Sequence, residues 1–593
     1  MSGNVVPPAA PAGSGQRQNV AVPDDDRGSP PATTRRRRRG AVVATALLSG
    51  VGVALSLPPW GWWVVAFPAA GLLWWRLDGE RARSRFLVGW LAGLGCFGIG
   101  LWWSRSFSLP GAVVLIMVES VFPAVACVAV PRRGGWQRAL AFPAAMALAE
   151  AARQSWPFGG LPIGGAFLGQ AGGPVLGVAR VGGPILVTAV IYAGGVAIAA
   201  GIQALLASRS GRWRRAGRSV GEAAGPGGSA RTEHGTVVEG GAGSGAGSGA
   251  GSGAAAPGRP MILALITAAL VIATVVVGSV APDGGPARSR VTVAAVQGGG
   301  VRGFRKSQVD PATVLAAANA ATTRMQVEDG GHNPQLVLWP EDVVSLDTEL
   351  GASSEESALS SLAATLHSTL VVGVTETVSP TAFRNEVVAF GPDGTLVSRY
   401  EKVHRVPFGE YVPYRGFFSH LANLSAVPRD AIPGHGTGLL PTPAGPLGAM
   451  ISYEVFFSHR GRSAVRAGAQ LLIVPTNTSS YATSQVPTQE VAASRFQAVE
   501  EGRDLLQAAP TGYSAVVTHE GAVLQRSTLG APAVLFATLG LRTGSTWFVD
   551  AGDTPVLALA GMAVLAVWAE MASVEAGRRR SAGAPRSDGA LRA

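Results

Sequence analysis

The chain has 593 residues, of which 47% are hydrophobic and only 14% are charged, and its formal net charge is +11. This composition excludes an ordinary soluble globular protein of such length. The two cysteines, Cys96 and Cys127, both lie within apolar runs. The more polar part of the chain therefore has no disulfide, no zinc site built on cysteine and no cysteine nucleophile.

Residues 1–40 are rich in Pro, Gly and Asp and end in a run of arginines, Arg35–Arg39. The composition predicts a disordered tail. Arginines before an apolar stretch are also typical of a signal sequence, but no clear small-residue cleavage site follows. We therefore expect the first membrane helix to remain uncleaved.

Several apolar runs approach the length of about 20 residues that crosses the hydrocarbon core of a membrane. They lie near 41–58, 60–75, 86–104, 110–130, 137–153, 183–207, 261–281 and 554–572. We predict a multi-span α-helical bundle of about eight transmembrane helices. Six of them cover 41–208, the seventh covers 261–281 and the eighth covers 553–573, while 209–260 is a flexible Gly/Ser/Ala-rich linker.

Arginines gather in every second loop of this arrangement. They precede the first span, separate the second from the third and the fourth from the fifth, and follow the sixth and the eighth. This is the positive-inside pattern. It predicts that both termini, including the basic tail 574–593, are cytoplasmic, and that 282–552 lies on the extracytoplasmic side.

The positive charge of the chain belongs to its cytoplasmic loops and tails, because segment 282–552 is nearly neutral. Orientation in the membrane and contact with the membrane surface account for these arginines. We therefore expect no nucleic-acid partner.

Segment 282–552 alternates short β-rich runs with stretches of helical spacing. The predicted strands are Val291–Val296, Gln335–Trp339, Leu370–Val374, Glu386–Phe390, Leu447–Ser452 and Gln470–Val474, and the predicted helices are 311–327, 354–367 and 486–502. Such alternation indicates a layered α/β domain, whose functional residues usually lie at strand ends or in the loops that follow.

Three segments of this domain carry reactive side chains at such positions: Leu338–Glu341, Tyr400–Glu410 and Ile451–Glu454. The carboxylate of Glu341 can accept and return a proton. The ammonium of Lys402 can stabilise an oxyanion and keep that carboxylate ionised. Ser452 can act as a nucleophile if a base lies within reach, with the backbone N–H of Tyr453 as a second oxyanion donor. Lys402 also stands out because the chain has only one other lysine, Lys306.

In these segments the domain resembles the nitrilase (carbon–nitrogen hydrolase) superfamily, whose catalytic residues are Glu, Lys and Cys in that order. The motifs Trp-Pro-Glu and Lys-x-x-x-x-Pro-Phe-Gly-Glu-Tyr-Val-Pro, with an apolar strand ending in x-Tyr-Glu, are similar to one branch, the apolipoprotein N-acyltransferases. The resemblance covers roughly residues 41–572, including Trp156–Gly160 in the loop before the sixth span. It implies an αββα sandwich for 282–552.

The resemblance also implies an activity. Such an enzyme of the bacterial cytoplasmic membrane takes an acyl chain from a membrane phospholipid, forms an acyl-enzyme, and passes the acyl group to the N-terminal diacylglyceryl-cysteine amine of a lipoprotein. It implies Glu341 as the general base, Lys402 as the oxyanion and charge-balancing residue, and Ser452 as the nucleophile. No cofactor or metal is expected. The supporting residues are expected to be Glu410, Tyr453 and Glu454, and Trp339 is expected to bind substrate. Phe304 is also expected to bind substrate, because it and glycines 298–300 follow the first strand of the domain and could shape a loop over the site; the alternative for this segment is a plain Gly-rich turn.

One residue departs from the family pattern, since Ser452 occupies the position of the family's cysteine. Serine must lose its proton during attack and so depends more on Glu341, or on a neutral Lys402, as base. Three interpretations remain: a working serine enzyme, an impaired copy, or a cysteine replaced deliberately. We favour the first, because Glu341, Lys402, Glu410 and Glu454 are all retained.

Two other functions remain as alternatives. One is a catalytically impaired scaffold that binds lipoproteins or envelope enzymes through a nitrilase fold. The other is an outward-facing amidase or nitrilase with a small substrate, which the membrane bundle argues against. Within the bundle, Glu119 lies in mid-span, where an acid is either functional or bonded to a neighbouring helix, and Glu150 and Arg153 are spaced to pair.

Overall fold

Helices occupy every region in which the sequence predicts a membrane span. The computed structural model describes residues 32–222, 258–300, 309–328, 333–420, 424, 427–481 and 484–582. The helices before the polar domain are α1 (Ala32–Ser56), α2 (Ala66–Arg76), α3 (Ala82–Gly100), α4 (Leu109–Glu119), α5 (Val121–Ala129), α6 (Trp136–Arg153), α7 (Ala179–Glu222) and α8 (Arg259–Val280). In α7 the helical backbone is interrupted at Gly182 and Gly183.

Within the described ranges, four helical segments are long and apolar enough to cross a membrane. They are Leu109–Ala129, Pro174–Arg209, Arg259–Val280 and Thr554–Arg579. The first of them combines α4 and α5, and a shorter apolar helix covers Gly40–Ser56. The chain is therefore a membrane protein, and the total of about eight spans remains a prediction.

The polar domain lies between α8 and the last helix. Its strands are β1 (Ser289–Gln297), β2 (Leu336–Leu338), β3 (Val344–Leu346), β4 (Thr369–Ser379), β5 (Ala382–Phe390), β6 (Leu396–Glu401), β7 (Asp430–Ala431), β8 (Leu439–Leu440), β9 (Leu447–Ala449), β10 (Leu471–Pro475), β11 (Leu505–Ala508), β12 (Ala515–Val517), β13 (Val523–Arg526) and β14 (Ala533–Leu541). Its helices are α9 (Pro311–Glu328), α10 (Ser354–Leu366), α11 (Arg415–Phe418), α12 (Ser458–Arg466), α13 (Val486–Glu501) and α14 (Trp547–Ala551), and α15 (Thr554–Ala582) follows.

These strands form two sheets. The first has the order β14-β1-β2-β4-β5-β6, with β3 and β7 at its side, and the second has the order β13-β12-β11-β10-β9-β8. One apolar core, which includes Val293, Leu338 and Ile473, joins the facing sheets. A second core packs α9 and α10 on the outer face of the first sheet, and α12 and α13 contact the second sheet. The predicted α/β layered domain is confirmed, with four layers in the order helix, sheet, sheet, helix.

One predicted strand is wrong in its extent. The run Leu447–Ser452 reads as a strand because its residues are almost all apolar, but β9 ends at Ala449. Ser452 instead has a φ of +52° and begins a short 3-10 helix that ends at Phe456. The pattern of apolar residues cannot reveal where the strand ends and the 3-10 helix begins, because residues before and after this point are buried alike.

Helix α13 is buried along almost its whole length, including its acids. Glu490 and Glu500 are at most 1% exposed. Burial raises the pKa of each carboxyl to about 8. Both groups are therefore protonated in the folded protein at neutral pH, whereas they would be ionised in an unfolded chain.

We expect this difference to make the protein less stable as the pH rises. The stabilisation is fully present below the ordinary glutamate pKa and is lost as the pH rises to about 8, the folded-state pKa of Glu490 and Glu500. The melting temperature in detergent should fall between pH 5 and 8, by the order of several degrees. Glu490→Gln and Glu500→Gln should each flatten this slope, whereas Glu349→Gln at an exposed acid should not. Equal slopes in all four proteins would contradict the assignment.

Candidate active site

The three predicted residues all follow the carboxyl ends of strands, as expected for a layered α/β domain. Glu341 comes three residues after β2, Lys402 directly follows β6, and Ser452 comes three residues after β9. Strands β2 and β6 belong to the first sheet and β9 to the second. The three residues thus follow strands of both sheets.

Lys402 lies at the centre of a buried hydrogen-bonded group. Its ammonium donates to Oε1 of Glu341 and to Oε1 of Glu410, at 2.8 Å in each case. The amide of Asn385, on β5, donates to the same two oxygens at 2.9 Å. Two carboxylates therefore share two donors, and the bonds from Lys402 and Asn385 to Glu341 both use Oε1.

Burial and charge act in opposite directions on this group. Burial lowers the pKa of Lys402, but the carboxylates of Glu341 and Glu410 outweigh it and raise the pKa above its ordinary value. Burial raises the pKa of Glu341, and the positive charge of Lys402 offsets this only in part. Lys402 is thus held as an ammonium, whereas Glu341 is a stronger base than an exposed glutamate.

Ser452 is held in a backbone conformation that side chains other than glycine rarely adopt. Its φ is +52°, and Asp342 and Phe408, next to the other two motifs, have φ values of +58° and +60°. Such conformations are unfavourable and persist only where the surroundings impose them. Strain of this kind in all three motif segments is typical of a functional site.

Glu454 connects the lysine segment with the serine turn. Its carboxylate accepts hydrogen bonds from the backbone N–H groups of Val403 and His404 at 2.8 and 2.9 Å. It also accepts from the N–H of Ile451 at 2.9 Å and from the hydroxyl of Tyr400 at 2.9 and 3.0 Å. Because these donors flank Lys402 on one side and Ser452 on the other, Glu454 fixes their relative position.

Tyr453 connects the serine turn with the membrane part of the chain. Its hydroxyl donates to the carbonyl of Gly160 at 2.8 Å, in the loop that follows α6. In the same loop the ring of Phe158 lies 5.8 Å from that of Phe408. The carbonyl of Phe158 accepts from the hydroxyl of Tyr411 at 3.3 Å. The resemblance segment Trp156–Gly160 is therefore part of the site.

A second aromatic contact joins the polar domain to the membrane part. The ring of Tyr481 is 5.2 Å from that of Trp103 and 5.6 Å from that of Phe107, in the turn after α3. Burial raises the pKa of Tyr481, and the nearby carboxylate of Glu410 raises it further. Tyr481 thus connects the polar domain with the turn after α3 through an aromatic contact.

Sequence reasoning missed two of these residues. Asn385 lies in strand β5 outside the predicted run Glu386–Phe390, and Tyr481 lies in a polar loop without a motif. The one signal for Asn385 is that it is a polar residue at the start of the buried part of β5. Phe304, predicted to bind substrate, lies outside the described residues.

Trp339 does not have the position expected of a substrate-binding residue. Its side chain is fully buried in the core between the first sheet and the helices that cover it. The indole N–H donates to the hydroxyl of Thr322, on α9, at 3.1 Å. Adjacent side chains of an extended strand point to opposite faces, so Trp339 packs away from the inter-sheet core that holds Leu338.

Comparisons with known proteins agree with this architecture. Residues 49–197 match the apolipoprotein N-acyltransferase N-terminal domain, and residues 292–547 match the carbon-nitrogen hydrolase family. The apolipoprotein N-acyltransferase of Mycolicibacterium smegmatis is 30% identical over 89% of this chain and 85% of its own length. The enzyme of the same name from Shewanella oneidensis is 24% identical over 88% of this chain and 94% of its own length.

Among solved structures, the chain is similar to Saccharomyces cerevisiae Nit3, a member of branch 10 of the nitrilase superfamily. The two are 20% identical, with a TM-score of 0.33, over 43% of this chain and 91% of Nit3.

We expect substitutions at Trp339 to affect stability and not substrate binding. Trp339→Phe removes the indole N–H that bonds Thr322 and leaves a small cavity, which should destabilise the protein by about 1–3 kcal/mol. Thr322→Val removes the same bond from the other side and should lower the melting temperature in the same direction. The Michaelis constant should be the same as in the wild type for both variants. A raised Michaelis constant in Trp339→Phe alone would restore the binding role.

Proposed function

This chain belongs to the apolipoprotein N-acyltransferase family, and on that premise we propose that it acylates lipoproteins through an acyl-enzyme at Ser452. The chain is an acyltransferase with a carbon–nitrogen hydrolase domain and a membrane part. The observation that carries the proposed mechanism is the buried Lys402, held between Glu341 and Glu410 and linked through Glu454 to the turn that presents Ser452. The acyl donor in this proposal is a membrane phospholipid.

In the first step, Oγ of Ser452 attacks the ester carbonyl of the phospholipid. Glu341 takes the hydroxyl proton, for which its Oε2 is suited because the bonds from Lys402 and Asn385 use Oε1. The ammonium of Lys402 and the backbone N–H of Tyr453 stabilise the oxyanion. When the tetrahedral intermediate collapses, the carbon–oxygen bond of the ester breaks. Glu341 returns the proton to the departing lysophospholipid alkoxide.

In the second step, the α-amine of the diacylglyceryl-cysteine attacks the acyl-serine. Glu341 now takes a proton from the amine and gives it to Oγ of Ser452 as the acyl–oxygen bond breaks. The products are an amide on the lipoprotein and the free serine. Transfer instead of hydrolysis requires that water is kept from the ester. The two aromatic contacts between the polar domain and the membrane part, Phe158 with Phe408 and Trp103 with Tyr481, support this by adding apolar surface there.

The charges of Lys402, Glu341 and Glu410 indicate which of these residues acts as the base. A neutral lysine could deprotonate serine, but the two carboxylates keep Lys402 protonated. Glu341 is left as the base, and burial strengthens it. A site with this base and a charged oxyanion donor has what a serine nucleophile needs, which supports a working serine enzyme.

The proposed topology follows the arginine pattern. Residues 41–208, 261–281 and 553–573 form the membrane bundle, and the catalytic domain 282–552 faces the extracytoplasmic side of the bacterial cytoplasmic membrane. The tail 1–40, the linker 209–260 and the tail 574–593 are cytoplasmic. The contacts of Tyr453 and Tyr481 with the membrane part support a site that opens at the membrane surface, where both lipid substrates are available.

One observation favours the alternative of an impaired scaffold, namely that a serine replaces the family's cysteine. A scaffold would bind lipoproteins without forming a covalent intermediate. The adduct experiment that follows distinguishes the two functions directly.

Incubation of the purified protein with phospholipid should add one acyl group to Ser452, detectable by intact-mass and peptide mass spectrometry. Ser452→Ala should remove the adduct and lipoprotein acylation completely, and Glu341→Gln and Lys402→Ala should reduce adduct formation by at least about 100-fold. Ser452→Cys should form the adduct faster than the wild type, because a thiol loses its proton more easily. A wild-type protein without adduct, beside an acylated Ser452→Cys variant, would identify an impaired enzyme.

The rate of adduct formation should also report the ionisation of Glu341. Because the base must be ionised and burial raises its pKa, the rate should fall as the pH decreases through a value above the ordinary glutamate pKa. Glu341→Asp should shift this acidic limb, whereas Glu349→Gln, at an exposed acid, should leave it in place. An acidic limb at the ordinary pKa of a solvated glutamate would contradict the assignment of the buried Glu341 as base.

A further inference from the structure

A buried ion cluster lies among the helices of the membrane part. Arg153, the last residue of α6, has a side chain that is only 1% exposed. Its Nη2 lies 2.7 Å from Oε1 of Glu150, and its Nη1 lies 3.5 Å from Oε2 of Glu119 on α4. The predicted pair of Glu150 and Arg153 is confirmed, and the mid-span Glu119 belongs to the same cluster.

The guanidinium of Arg153 has more partners than these two acids. Nη1 also donates to the carbonyl of Leu161 and to that of Ile163 at 3.1 Å, and Nη2 donates to the carbonyl of Pro162 at 3.0 Å. Three successive carbonyl groups of the loop after α6 therefore converge on one side chain. Without it they would lie buried with fewer donors, which is unfavourable.

The loop passes the cluster at close range. A Cβ atom on Gly165 would lie 2.7 Å from Nη2 of Arg153 and 2.7 Å from Oε1 of Glu150, so only glycine leaves room for this approach. On the other side of the loop, Gly160 has a φ of +94° and a Cβ there would lie 2.1 Å from the carbonyl oxygen of Gln154. The loop therefore has one well-defined path between Gly160 and Gly165.

This path ends at the catalytic site. The carbonyl of Gly160 accepts the hydrogen bond from Tyr453, which follows Ser452 directly. The ion cluster is also close enough to act on Tyr453 electrostatically: burial raises the pKa of its phenol, Glu119 raises it further, and Arg153 lowers it. The phenol remains neutral and can donate to Gly160.

We infer that Arg153 is a positioning residue for the acyl-transfer reaction: by holding the carbonyls of Leu161, Pro162 and Ile163 it sets the loop whose Gly160 orients Tyr453 beside the nucleophile. This inference rests on the proposed function of Ser452 as the acylated residue. Glu150 and Glu119 hold the guanidinium in place. The membrane helices thereby determine the geometry of chemistry that takes place in the polar domain.

The role requires an arginine. A guanidinium has N–H donors on three nitrogens in one plane, so it can bond several separated acceptors. A lysine has all its donors on a single nitrogen and cannot reach the same set of acceptors. Arg153→Lys retains the positive charge between Glu150 and Glu119 and so avoids an unpaired buried acid. It cannot, however, serve the two acids and the three carbonyls together. The substitution thus separates the charge of Arg153 from its hold on the loop.

The experiment measures the rate of Ser452 acylation by phospholipid in the full-length protein, with melting temperature recorded for each variant. Arg153→Lys should slow acylation by roughly 10- to 100-fold, because small displacements of reacting groups have effects of this size. The lipid concentration at half-saturation should change little. Arg138→Lys is the matched control: Arg138 is also buried and paired with Asp78 at 2.9 Å, at the opposite end of α6. It should retain the wild-type rate.

A double-mutant cycle tests whether Arg153 acts through Tyr453. Tyr453→Phe removes the bond to Gly160 and should slow acylation by a similar factor. If both residues act on the same loop, the double variant should be no slower than the slower single variant. Glu119→Gln, which weakens one anchor of Arg153 without changing its volume, should slow the rate by a few-fold and should also be non-additive with Tyr453→Phe.

The outcomes separate this inference from the proposed function. A wild-type protein that forms no adduct contradicts the acyl-enzyme itself. If the wild type is acylated, a wild-type rate in Arg153→Lys overturns the positioning role, and so do fully multiplicative effects in the double variant. If Arg153→Lys does not fold, Glu119→Gln decides the question: additivity with Tyr453→Phe overturns the inference and non-additivity supports it.

Discussion

The buried ammonium of Lys402 is the constraint on which the rest of this site depends. A charge that is only 1% exposed is strongly unfavourable unless ionised or dipolar partners surround it. Glu341, Glu410 and Asn385 provide these partners from a strand end, a loop and a strand of the first sheet. The ends of these segments are therefore constrained together, because removal of Lys402 would leave two buried carboxylates without a cation, and removal of Glu341 or Glu410 would take away one of the two acceptors of its ammonium.

The same constraint explains the role of Glu454. Two negative carboxylates around one ammonium leave the group with an excess of negative charge, so a further acid close to it would be unfavourable. Glu454 instead receives its hydrogen bonds from Tyr400 and from backbone N–H groups on both sides of the site. These bonds offset the left-handed backbone of Ser452, a conformation that costs about 1–3 kcal/mol. The residue is thus a clamp between two sheets and has no need to transfer a proton.

Much of this could be predicted from the sequence, since strands and helices with regular hydrophobic spacing, such as β4, α9 and α13, are local features. Glu341, Lys402 and Ser452 could also be predicted from the sequence, because each follows a strand within three residues. Asn385 and Tyr481 could not, because their importance arises only when distant segments meet. Trp339 illustrates the opposite case: the resemblance implied a substrate-binding residue, whereas strand alternation turns its ring toward Thr322 and the outer core. The number of spans is hard to predict for a related reason. A helix as short as α2, with 11 residues, is too short to span a membrane alone, and its packing partners are not evident from composition.

The proposed serine chemistry requires precise positioning, and the membrane part contributes to it. A thiolate is a strong nucleophile even when its base is imperfectly placed, whereas a serine must lose its proton to Glu341 at the moment of attack. Serine therefore tolerates less error in the position of the turn that carries it. That turn is held by Glu454 from the lysine side and by Tyr453 from the side of Gly160, and the path of the loop to Gly160 is fixed in turn at Arg153. In a chain with an oxygen nucleophile, the rigid ion cluster of the membrane helices becomes part of what the reaction requires.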